Sequence, residues 1–415
     1  MPNYAEIITI GDEILYGQTL DTNSHWISGR LDEIGIKVRT KTTIGDIRED
    51  ILSSFEQAEK RADVVIITGG LGPTKDDLTK PLLSEYFNSP LVLNEEALEE
   101  VTRIFKRFGK PLTDVNRKQA EIPDIATKIT NSLGTAPGMW LERNNTVFIS
   151  MPGVPFEMRR MMTDILVPKL SEKFTQGVIY HKIIRTIGIG ESSLADIISK
   201  WEEKLPSHVK LAYLPTLGMV KLRLTASGSD LTSLQKDCER LVEKVKPLID
   251  QYVYSYDDEE IESYLGKLLR ESNKTISFAE SCTGGYASHL LTKTPGSSDY
   301  FKGSIISYAY EVKEKELDVD ADMMNKNGAV SEEVVRQMSE SVRKKLKTDI
   351  GISISGIAGP GGGTEEKPVG TVWISYSDKE KTVAKKFNFS KDRVLNIQYS
   401  AYMALNMLRL NFQPD

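Results

Sequence analysis

Short apolar runs that alternate with amphipathic helical patterns constrain the fold of this chain more than any other feature. The first part of the chain contains the β-branched runs AEIITIG, KVRTKTTIG and DVVIITGG, which are separated by NSHWISGRLDEIG and REDILSSFEQAEKR. The apolar residues of the two separating segments recur with helical spacing. Strands that alternate with helices of this length form parallel βαβ units. The sequence therefore predicts an open α/β sheet in this part of the chain.

A different pattern separates this first part from a second α/β part. The middle of the chain contains a strand-like run, a helix, a predicted hairpin formed by VKLAYLP and GMVKLRLTA, and a second helix, which is typical of a small α+β module. The acidic run YDDEE that follows is interpreted as a solvated linker or a helix start. A chain of 415 residues is too long for one ordinary core. We predict three domains, at residues 1–172, 173–253 and 254–415.

Composition excludes several classes of function. The formal net charge of -6 argues against broad non-specific binding to nucleic acid. The two cysteines have neither a disulfide framework nor zinc-ligand spacing, and no pair of histidines has ligand spacing, so a metal would use carboxylates and water. We find no basic leader and no apolar run near the roughly 20 residues that span a bilayer. We expect a cytoplasmic protein with no membrane partner and no nucleic-acid partner.

Two glycine-rich turns follow strands in the first domain. In VVIITGGLGPTKDDLTK, Gly69, Gly70 and Gly72 allow backbone N–H groups to approach an anion, and the next helix begins nearby. Asp76 and Asp77 can hold a metal that bridges to phosphates, but a tight turn with an Asp helix cap explains the same residues. The pattern is neither a Walker loop nor a dinucleotide fingerprint.

The second turn, ITIGDEILYGQTLDTNS, adds Asp12, Glu13 and Asn23. The carboxyl ends of parallel strands lie at one edge of an open sheet, where ligands bind. Thr79, which follows the first turn, and Lys118 in NRKQAE are further candidates, although a lone lysine on a helix is usually solvated. A site and a pair of structural turns explain these residues equally well.

The run FAESCTGGYAS places two nucleophilic side chains, Ser281 and Cys282, directly after a predicted strand. Gly284 and Gly285 open the next helix, which leaves the N–H groups of Cys282 and Thr283 free to form an oxyanion hole. A serine that caps the helix, followed by glycines that allow close packing, explains the same residues.

A serine nucleophile needs a base, and a nearby histidine is poorly placed to serve. His289 lies two turns along the same predicted helix and points away. The segment SIISYAYEVKEKEL offers Tyr308 and Lys313 instead. A buried lysine with a lowered pKa can act as a base, and a tyrosine can relay a proton. Most tyrosines and lysines at such positions are ordinary strand-end residues.

The loop SGIAGPGGGTEEKPVG is dense in glycine and begins at a predicted strand end. A series of tight turns or a phosphate cradle explains this composition equally well. The candidate phosphate-binding residues of the loop are Gly356, Ala358, Gly359, Gly361, Gly362, Gly363 and Thr364.

The motifs GDEIL, TGGLGPTKDDLT, NSLGTAPGM and MPGVPFEM occur in order and resemble the molybdopterin-binding-type domain that begins CinA-family proteins. The resemblance covers nearly all of residues 1–170 and implies metal-assisted hydrolysis of the diphosphate of ADP-ribose. It maps site aspartates onto Asp77 and Asp46, and we take Asp12 and Asp77 as candidate metal ligands. The expected cofactor is a divalent cation (Mg, Mn or Co), with K⁺ as a further candidate ion.

The middle module resembles the KH-like domain of the same family. The run IGIG at residues 187–190 is not the basic Gly-x-x-Gly loop with which KH domains clamp RNA, and the module carries many acidic residues. A spacer or a dimer contact is therefore favoured over RNA binding. We expect a homodimer.

The motifs AESCTGG, SY....K, GAVSEE, SGIAGPGGGT and SKDRVLN resemble the CinA carboxy-terminal domain, which also occurs alone as nicotinamide-nucleotide amidase. The resemblance covers residues 257–412 and implies hydrolysis of nicotinamide mononucleotide to the nicotinate nucleotide and ammonia, without a metal. It places the nucleophile at Ser281 and its partners at Tyr308 and Lys313. Arg393, together with the glycine-rich loop, is then expected to hold the phosphate.

Other functions stay open beside this pair of hydrolytic sites. One alternative is a protein that acts by binding other proteins in competence or DNA damage. Another is a first domain that binds a pterin without hydrolysis. Cys282 is interpreted as a small packed residue, and Tyr310 stands where relatives more often carry a small polar residue, which leaves substrate fit open.

Overall fold

The computed structural model describes residues 3–74, 76–174 and 177–412, and the chain folds as two compact units. The first unit comprises the described residues up to Tyr180 together with Ser227–Leu234. The second comprises His181–Ala226 and the described residues from Gln235 onward. Most of the middle module therefore belongs to the same compact unit as the third section.

The first unit alternates strands and helices along most of its length. Its strands are β1 (Tyr4–Ile10), β2 (Lys37–Ile44), β3 (Val64–Thr68), β4 (Leu91–Leu93), β5 (Glu121–Pro123), β6 (Thr127–Ile129), β7 (Gly138–Arg143) and β8 (Thr146–Met151). Its helices are α1 (Asp12–Leu15), α2 (Thr22–Glu33), α3 (Arg48–Glu59), α4 (Thr79–Tyr86), α5 (Glu95–Arg107), α6 (Asp114–Arg117), α7 (Pro155–Met161) and α8 (Val167–Lys173), with a π-helical turn at Met162–Leu166 between the last two.

The main sheet of this unit has the strand order β2-β1-β3-β8-β7-β6. Its first four strands are parallel to one another, and β7 and β6 are antiparallel. Successive residues of β1 face opposite sides, so Ile7 packs in a core with Leu31 of α2, and Ile8 packs in a second core with Phe55 of α3. Helices thus cover both faces, and the predicted open α/β sheet is confirmed.

The middle module and the third section supply the remaining elements. The strands are β9 (Val178–Ile187), β10 (Val209–Thr216), β11 (Met219–Gly228), β12 (Val253–Ser255), β13 (Ile276–Glu280), β14 (Phe301–Ile306), β15 (Ile350–Gly356), β16 (Thr371–Ser377) and β17 (Thr382–Asn388). The helices are α9 (Glu191–Glu202), α10 (Leu231–Ile249), α11 (Ile261–Glu271), α12 (Tyr286–Thr292), α13 (Tyr310–Leu317), α14 (Ala321–Asn327), α15 (Glu332–Lys345) and α16 (Arg393–Asn411).

These strands form two sheets. The middle module has the order β10-β11-β9-β12, in which β10 and β11 form the predicted hairpin. The third section has the order β14-β13-β15-β16-β17, with β13 parallel to both neighbours and the last three strands antiparallel. The small α+β module and the second α/β section are therefore confirmed. No helix in the described part of the chain is long and apolar enough to cross a membrane.

The acidic run after β12 is largely exposed, in agreement with a solvated segment, and several of its side chains form surface ion pairs. Arg185 of β9 contacts Asp258 at 2.5 Å and Glu260 at 2.9 Å. Lys182 contacts Asp257 at 3.1 Å. Glu260 also precedes the first residue of α11, so the run does lead into a helix start, as one of the two interpretations predicted.

Candidate active sites

The turn after β13 holds Ser281 at the carboxyl edge of the C-terminal sheet. The N–H of Ser281 donates to the carbonyl oxygen of Ile354 at 3.0 Å, and the N–H of Gly284 donates to the carbonyl oxygen of Ser281 at 3.1 Å. Gly284 and Gly285 have φ angles of 59° and 100°, in the left-handed region that favours glycine. The twin glycines therefore let the chain reverse directly after the serine.

The carboxylate that caps α12 belongs to Glu280, which the sequence interpretation missed. One of its oxygens accepts the N–H groups of Gly285 (2.9 Å) and Ala287 (3.2 Å). The other accepts the backbone N–H (2.9 Å) and the hydroxyl (2.5 Å) of Ser288. The interpretation of Ser281 as the helix cap is therefore wrong, and its hydroxyl is left for another partner.

That partner is Lys313, whose Nζ lies 3.0 Å from Ser281 Oγ. The lysine belongs to α13, is 1% exposed, and also donates to the carbonyl oxygens of Ser307 (2.5 Å) and Tyr308 (3.4 Å). No ion pair within the described ranges involves it. Burial lowers the pKa of Lys313 from 10.5 to about 8.

These contacts suit a lysine that exchanges a proton with the serine. A neutral amine has two N–H groups and one lone pair. The carbonyl oxygens of Ser307 and Tyr308 can take the two N–H groups, which leaves the lone pair facing Ser281 Oγ. A protonated amine donates to all three oxygens in the same arrangement, so proton transfer requires no movement of Lys313.

Cys282 is not equipped to act as the nucleophile. Its side chain is buried in the hydrophobic core, and burial raises the pKa of its thiol to about 12. The backbone N–H groups of Cys282 and Thr283 donate to no acceptor among the described residues. Cys282 lines the cleft and Thr283 does not, and an oxyanion hole formed by their two N–H groups stays a prediction.

A cleft of about 210 Å³ brings the predicted catalytic residues together. Arg393 donates to the carbonyl oxygen of Gly359 at 2.6 Å and to the hydroxyl oxygen of Tyr308 at 2.9 Å. The cleft is lined by Ser281, Cys282, Tyr308, Tyr310, Lys313, Ala329, Val330, Ser355, Gly356, Ala358 and Arg393.

The glycine-rich loop divides into a part that faces this cleft and a part that does not. Gly356 and Ala358 line the cleft, and the buried side chain of Asn396 donates to the carbonyl oxygen of Ala358 at 2.9 Å. Thr364 forms a turn with Lys367 through bonds of 2.9 and 3.0 Å. The predicted residues that do not line the cleft are Gly359, Gly361, Gly362, Gly363 and Thr364.

A larger cleft of about 590 Å³ lies where β1, β3 and β8 end in the first unit. The expectation that the strand-end turns share one edge is confirmed by its lining. The predicted residues that line it are Glu13, Asn23, Asp46, Gly69, Gly70, Gly72, Asp76 and Asp77. Those that do not are Asp12, Thr79 and Lys118.

Two of the predicted residues hold the glycine turn in place. Asp77 accepts the N–H groups of Gly72 (2.8 Å) and Thr74 (2.9 Å) and the hydroxyl of Thr74. Thr79 donates its hydroxyl to the carbonyl oxygen of Gly69 at 2.9 Å. Because both oxygens of Asp77 already accept hydrogen bonds, it is poorly suited to be the main metal ligand.

The lysine that is buried near this cleft is Lys80 rather than Lys118. Lys118 is exposed, and only its carbonyl oxygen faces inward. Lys80 donates to that carbonyl oxygen at 3.2 Å and to the carbonyl oxygen of Gln119, a lining residue, at 2.9 Å. Burial lowers the pKa of Lys80 to about 8. The exposure of Lys118 agrees with the alternative that it is a solvated lysine.

The acidic side chains of the larger cleft are the groups that would bind a cation. The pKa of Asp46 is raised mainly by burial and further by the charges of Asp12, Glu13 and Asp76. No group of three or more acidic, histidine or cysteine side chains in the described ranges is arranged to hold a metal. This donor set fits an ion such as Mg²⁺, which takes one or two carboxylates and completes its shell with phosphate and water.

Two buried polar atoms in the lining lack partners within the described part of the chain. They are Oδ1 of Asn23 and Oγ1 of Thr68. The Nδ2 of Asn23 donates to the carbonyl oxygen of Gly153 at 2.7 Å, which fixes the orientation of the amide. Buried polar atoms normally find partners, so this pair indicates a polar ligand.

Comparison with known proteins agrees with the motifs. Family models match at residues 258–412 (CinA C-terminal domain), 6–172 (Probable molybdopterin binding domain) and 181–255 (Damage-inducible protein CinA KH domain). A CinA-like protein of Cytophaga hutchinsonii is 50% identical over 406 residues, which is 98% of this chain and 97% of the relative. One of Flavobacterium psychrophilum is 46% identical over 97% of each chain. A crystal structure of CinA from Thermoplasma acidophilum is 33% identical over 41% of this chain and 98% of that chain, with a TM-score of 0.37. The resemblance drawn from the motifs is confirmed, and the chain belongs to the CinA family.

Proposed function

We propose that the C-terminal cleft hydrolyses the carboxamide of nicotinamide mononucleotide to the nicotinate nucleotide and ammonia. The contact of 3.0 Å between Ser281 Oγ and the buried amine of Lys313 carries this proposal. A lysine with a pKa of about 8 is partly neutral near pH 8 and can accept the serine proton. The family resemblance supplies the substrate, and this half of the chain requires no metal.

The reaction begins when Ser281 Oγ attacks the carboxamide carbon while Lys313 accepts the hydroxyl proton. The carbonyl oxygen becomes an oxyanion that accepts the N–H groups of Cys282 and Thr283. Collapse of this intermediate breaks the C–N bond, and the leaving nitrogen takes a proton and departs as ammonia. Water then attacks the ester and releases the carboxylate and free Ser281.

Tyr308 and Arg393 act on the substrate as a pair. Because Arg393 donates to the hydroxyl oxygen of Tyr308, the O–H of Tyr308 is free to donate to the amide or to the leaving nitrogen. The guanidinium of Arg393, at the edge of the glycine-rich loop, supplies the positive charge that a nucleotide phosphate needs. Glu280 and Asn396 position the turn and the loop that carry these groups.

Ammonia release from nicotinamide mononucleotide by wild type, Ser281→Ala and Cys282→Ala tests the proposal. We expect release by wild type and by Cys282→Ala, and none by Ser281→Ala. Folded wild-type protein that releases no ammonia would refute the amidase function. A stable complex with a recombination protein, unaffected by Ser281→Ala, would instead favour an interaction protein.

We propose a second activity for the larger cleft, the hydrolysis of ADP-ribose to AMP and ribose 5-phosphate. Carboxylates line this cleft, whereas no lysine or arginine among the described residues does. A diphosphate therefore needs a divalent cation (Mg, Mn or Co) to bind at this acidic surface, and K⁺ is a further candidate ion. Asp46 and its acidic neighbours would hold the ion, which neutralises the diphosphate charge. The carboxylates of the lining are Glu13, Asp21, Asp46, Asp76, Asp77 and Glu157.

The residues of this cleft have separate parts in the proposed reaction. Oδ1 of Asn23 accepts a ligand hydroxyl, and the hydroxyl of Thr68 bonds a second polar group. The N–H groups of Gly72 and Thr74 are donated to Asp77, so this turn contributes the shape of the cleft wall beside the phosphates. These contacts orient the diphosphate for attack by water.

ADP-ribose hydrolysis with each divalent ion and with chelator tests this second proposal. We expect loss of turnover in chelator and in Asp46→Asn, with ammonia release unchanged in both. Asp124→Asn, on the exposed surface, is the matched control. Tight pterin binding with no ADP-ribose turnover under any ion would favour a binding module instead.

A further inference from the structure

Tyr310 lines the C-terminal cleft but has no role in the proposed reaction. Its side chain is 47% exposed, and it lines the same cleft as Ser281 and Lys313. The backbone N–H of Ala329 donates to the hydroxyl oxygen of Tyr310 at 3.3 Å. The far end of the ring is thereby tied to the segment before α15, so the ring is a fixed wall.

The position of this ring relative to the reactive groups follows from the helix that carries it. Tyr310 and Lys313 lie one turn apart on α13, so their side chains project from the same side of the helix. Lys313 is almost fully buried and Tyr310 is half exposed, so the ring lies nearer the mouth of the cleft. Ala329 and Val330 extend the same lining with apolar surface. A substrate whose carbonyl carbon lies at Ser281 shares the cleft with this ring.

Two residues that line the cleft, Arg393 and Tyr310, differ in electrostatic character. Arg393 provides a permanent positive charge beside Tyr308. The face of a tyrosine ring has the opposite character, because its π electrons attract cations and stack with flat rings. A ligand with an anionic end and a cationic, flat end fits both surfaces when the anion meets Arg393 and the flat ring meets Tyr310.

We infer that Tyr310 determines specificity by selecting carboxamides carried on a cationic aromatic ring. The inference rests on the proposed amidase function, whose substrate contains a pyridinium ring. The reduced form of the same nucleotide has a neutral dihydropyridine ring that is not aromatic. The site therefore distinguishes the two forms through the π face of Tyr310.

The experiment compares Tyr310→Leu, which removes the π face, with Tyr310→Phe, which keeps it. We expect Tyr310→Leu to raise KM for nicotinamide mononucleotide about 2- to 30-fold, the range of a cation–π contact. The effect on kcat is expected to be smaller, because ground state and transition state share this contact. Tyr310→Phe is expected to raise KM less than Tyr310→Leu does. Phe108→Leu, at an aromatic side chain that is 70% exposed, is the matched control.

Binding in a Ser281→Ala background separates this inference from the proposed reaction. Calorimetry with the oxidised and the reduced mononucleotide should show tighter binding of the oxidised form, and Tyr310→Leu should abolish that preference. Equal binding of the two forms, or an unchanged preference in both Tyr310→Leu and Tyr310→Gln, would overturn the inference. If wild type binds with the expected preference yet releases no ammonia, the amidase proposal fails and the role of Tyr310 stands.

Discussion

Replacement of Lys313 by methionine removes the proposed base while filling most of its volume. General bases contribute about 10²- to 10⁴-fold to rate, so kcat for ammonia release should fall by that factor. The wild-type rate should rise with pH through about 8, because burial lowers the pKa of Lys313 to about 8 and only the neutral amine accepts a proton.

The same substitution has an effect on stability whose magnitude depends on pH. The pKa of Lys313 falls from 10.5 to about 8 on folding, and this difference corresponds to about 3 kcal/mol. Below the folded pKa the amine is charged in both states, and the folded chain carries the full desolvation penalty. Between the two pKa values the folded chain has lost the proton that the unfolded chain keeps, so stability rises with pH. Wild type should therefore gain about 2–3 kcal/mol relative to Lys313→Met between about pH 7 and about pH 10.

Urea unfolding of both proteins across this pH range measures the gain, and ammonia release measures the loss of activity. Titration of other groups is common to both proteins and cancels in the difference. Lys326→Met, at an exposed lysine, should show no such pH-dependent difference. Parallel stability curves for wild type and Lys313→Met would show that the folded amine keeps its ordinary pKa. Activity of Lys313→Met within tenfold of wild type would refute the base.

Three further substitutions test the surroundings of the site. Glu280→Gln replaces the carboxylate that accepts the N–H groups at the start of α12 with an amide, whose NH₂ group cannot accept a hydrogen bond. We expect a loss of about 2–4 kcal/mol in the free energy of unfolding. A urea midpoint equal to wild type would contradict this capping role. Arg393→Gln should raise KM for the mononucleotide at least tenfold and change KM less for the riboside, which lacks the phosphate; equal effects on both would argue against phosphate binding. Cys282→Ala should lose about 1–2 kcal/mol of stability to a small cavity and retain most ammonia release, since only its backbone N–H is used; abolished release in a folded variant would reopen the choice of nucleophile.

Local patterns in the sequence predicted the strand-end turn at Ser281 but not its hydrogen-bond partners. The β-branched run before Ser281 and the glycines after it are sufficient to indicate a strand that reverses into a helix. Glu280 occupies the last position of the strand. Its place in the sequence does not reveal that three N–H groups and one hydroxyl from the following turn and helix donate to its carboxylate. Capping patterns place the cap next to the helix, whereas here the cap lies across the turn.

The limits of the prediction in the first unit have a related cause. Lys118 and Lys80 are both lysines near predicted helices, and only the packed structure decides which one is buried. Asp77 was correctly placed at the cleft, yet its oxygens serve the turn because the neighbouring N–H groups have no other acceptor. Sequence spacing indicates which residues share an edge of a sheet. It does not indicate how many of their polar atoms are already engaged there.

The balance of charge in the two clefts accounts for the difference in their proposed chemistry. Lys313 is a buried amine with no carboxylate within ion-pair distance in the described ranges, so it favours the neutral form and acts as a base unaided. Asp46 is partly buried near like charges, with no cationic side chain in the described lining, so it favours a proton or an added cation. Chelation should therefore abolish diphosphate hydrolysis and leave amide hydrolysis intact. The pH dependence should differ as well, since the amide reaction follows Lys313 and the diphosphate reaction follows competition between protons and metal for carboxylates.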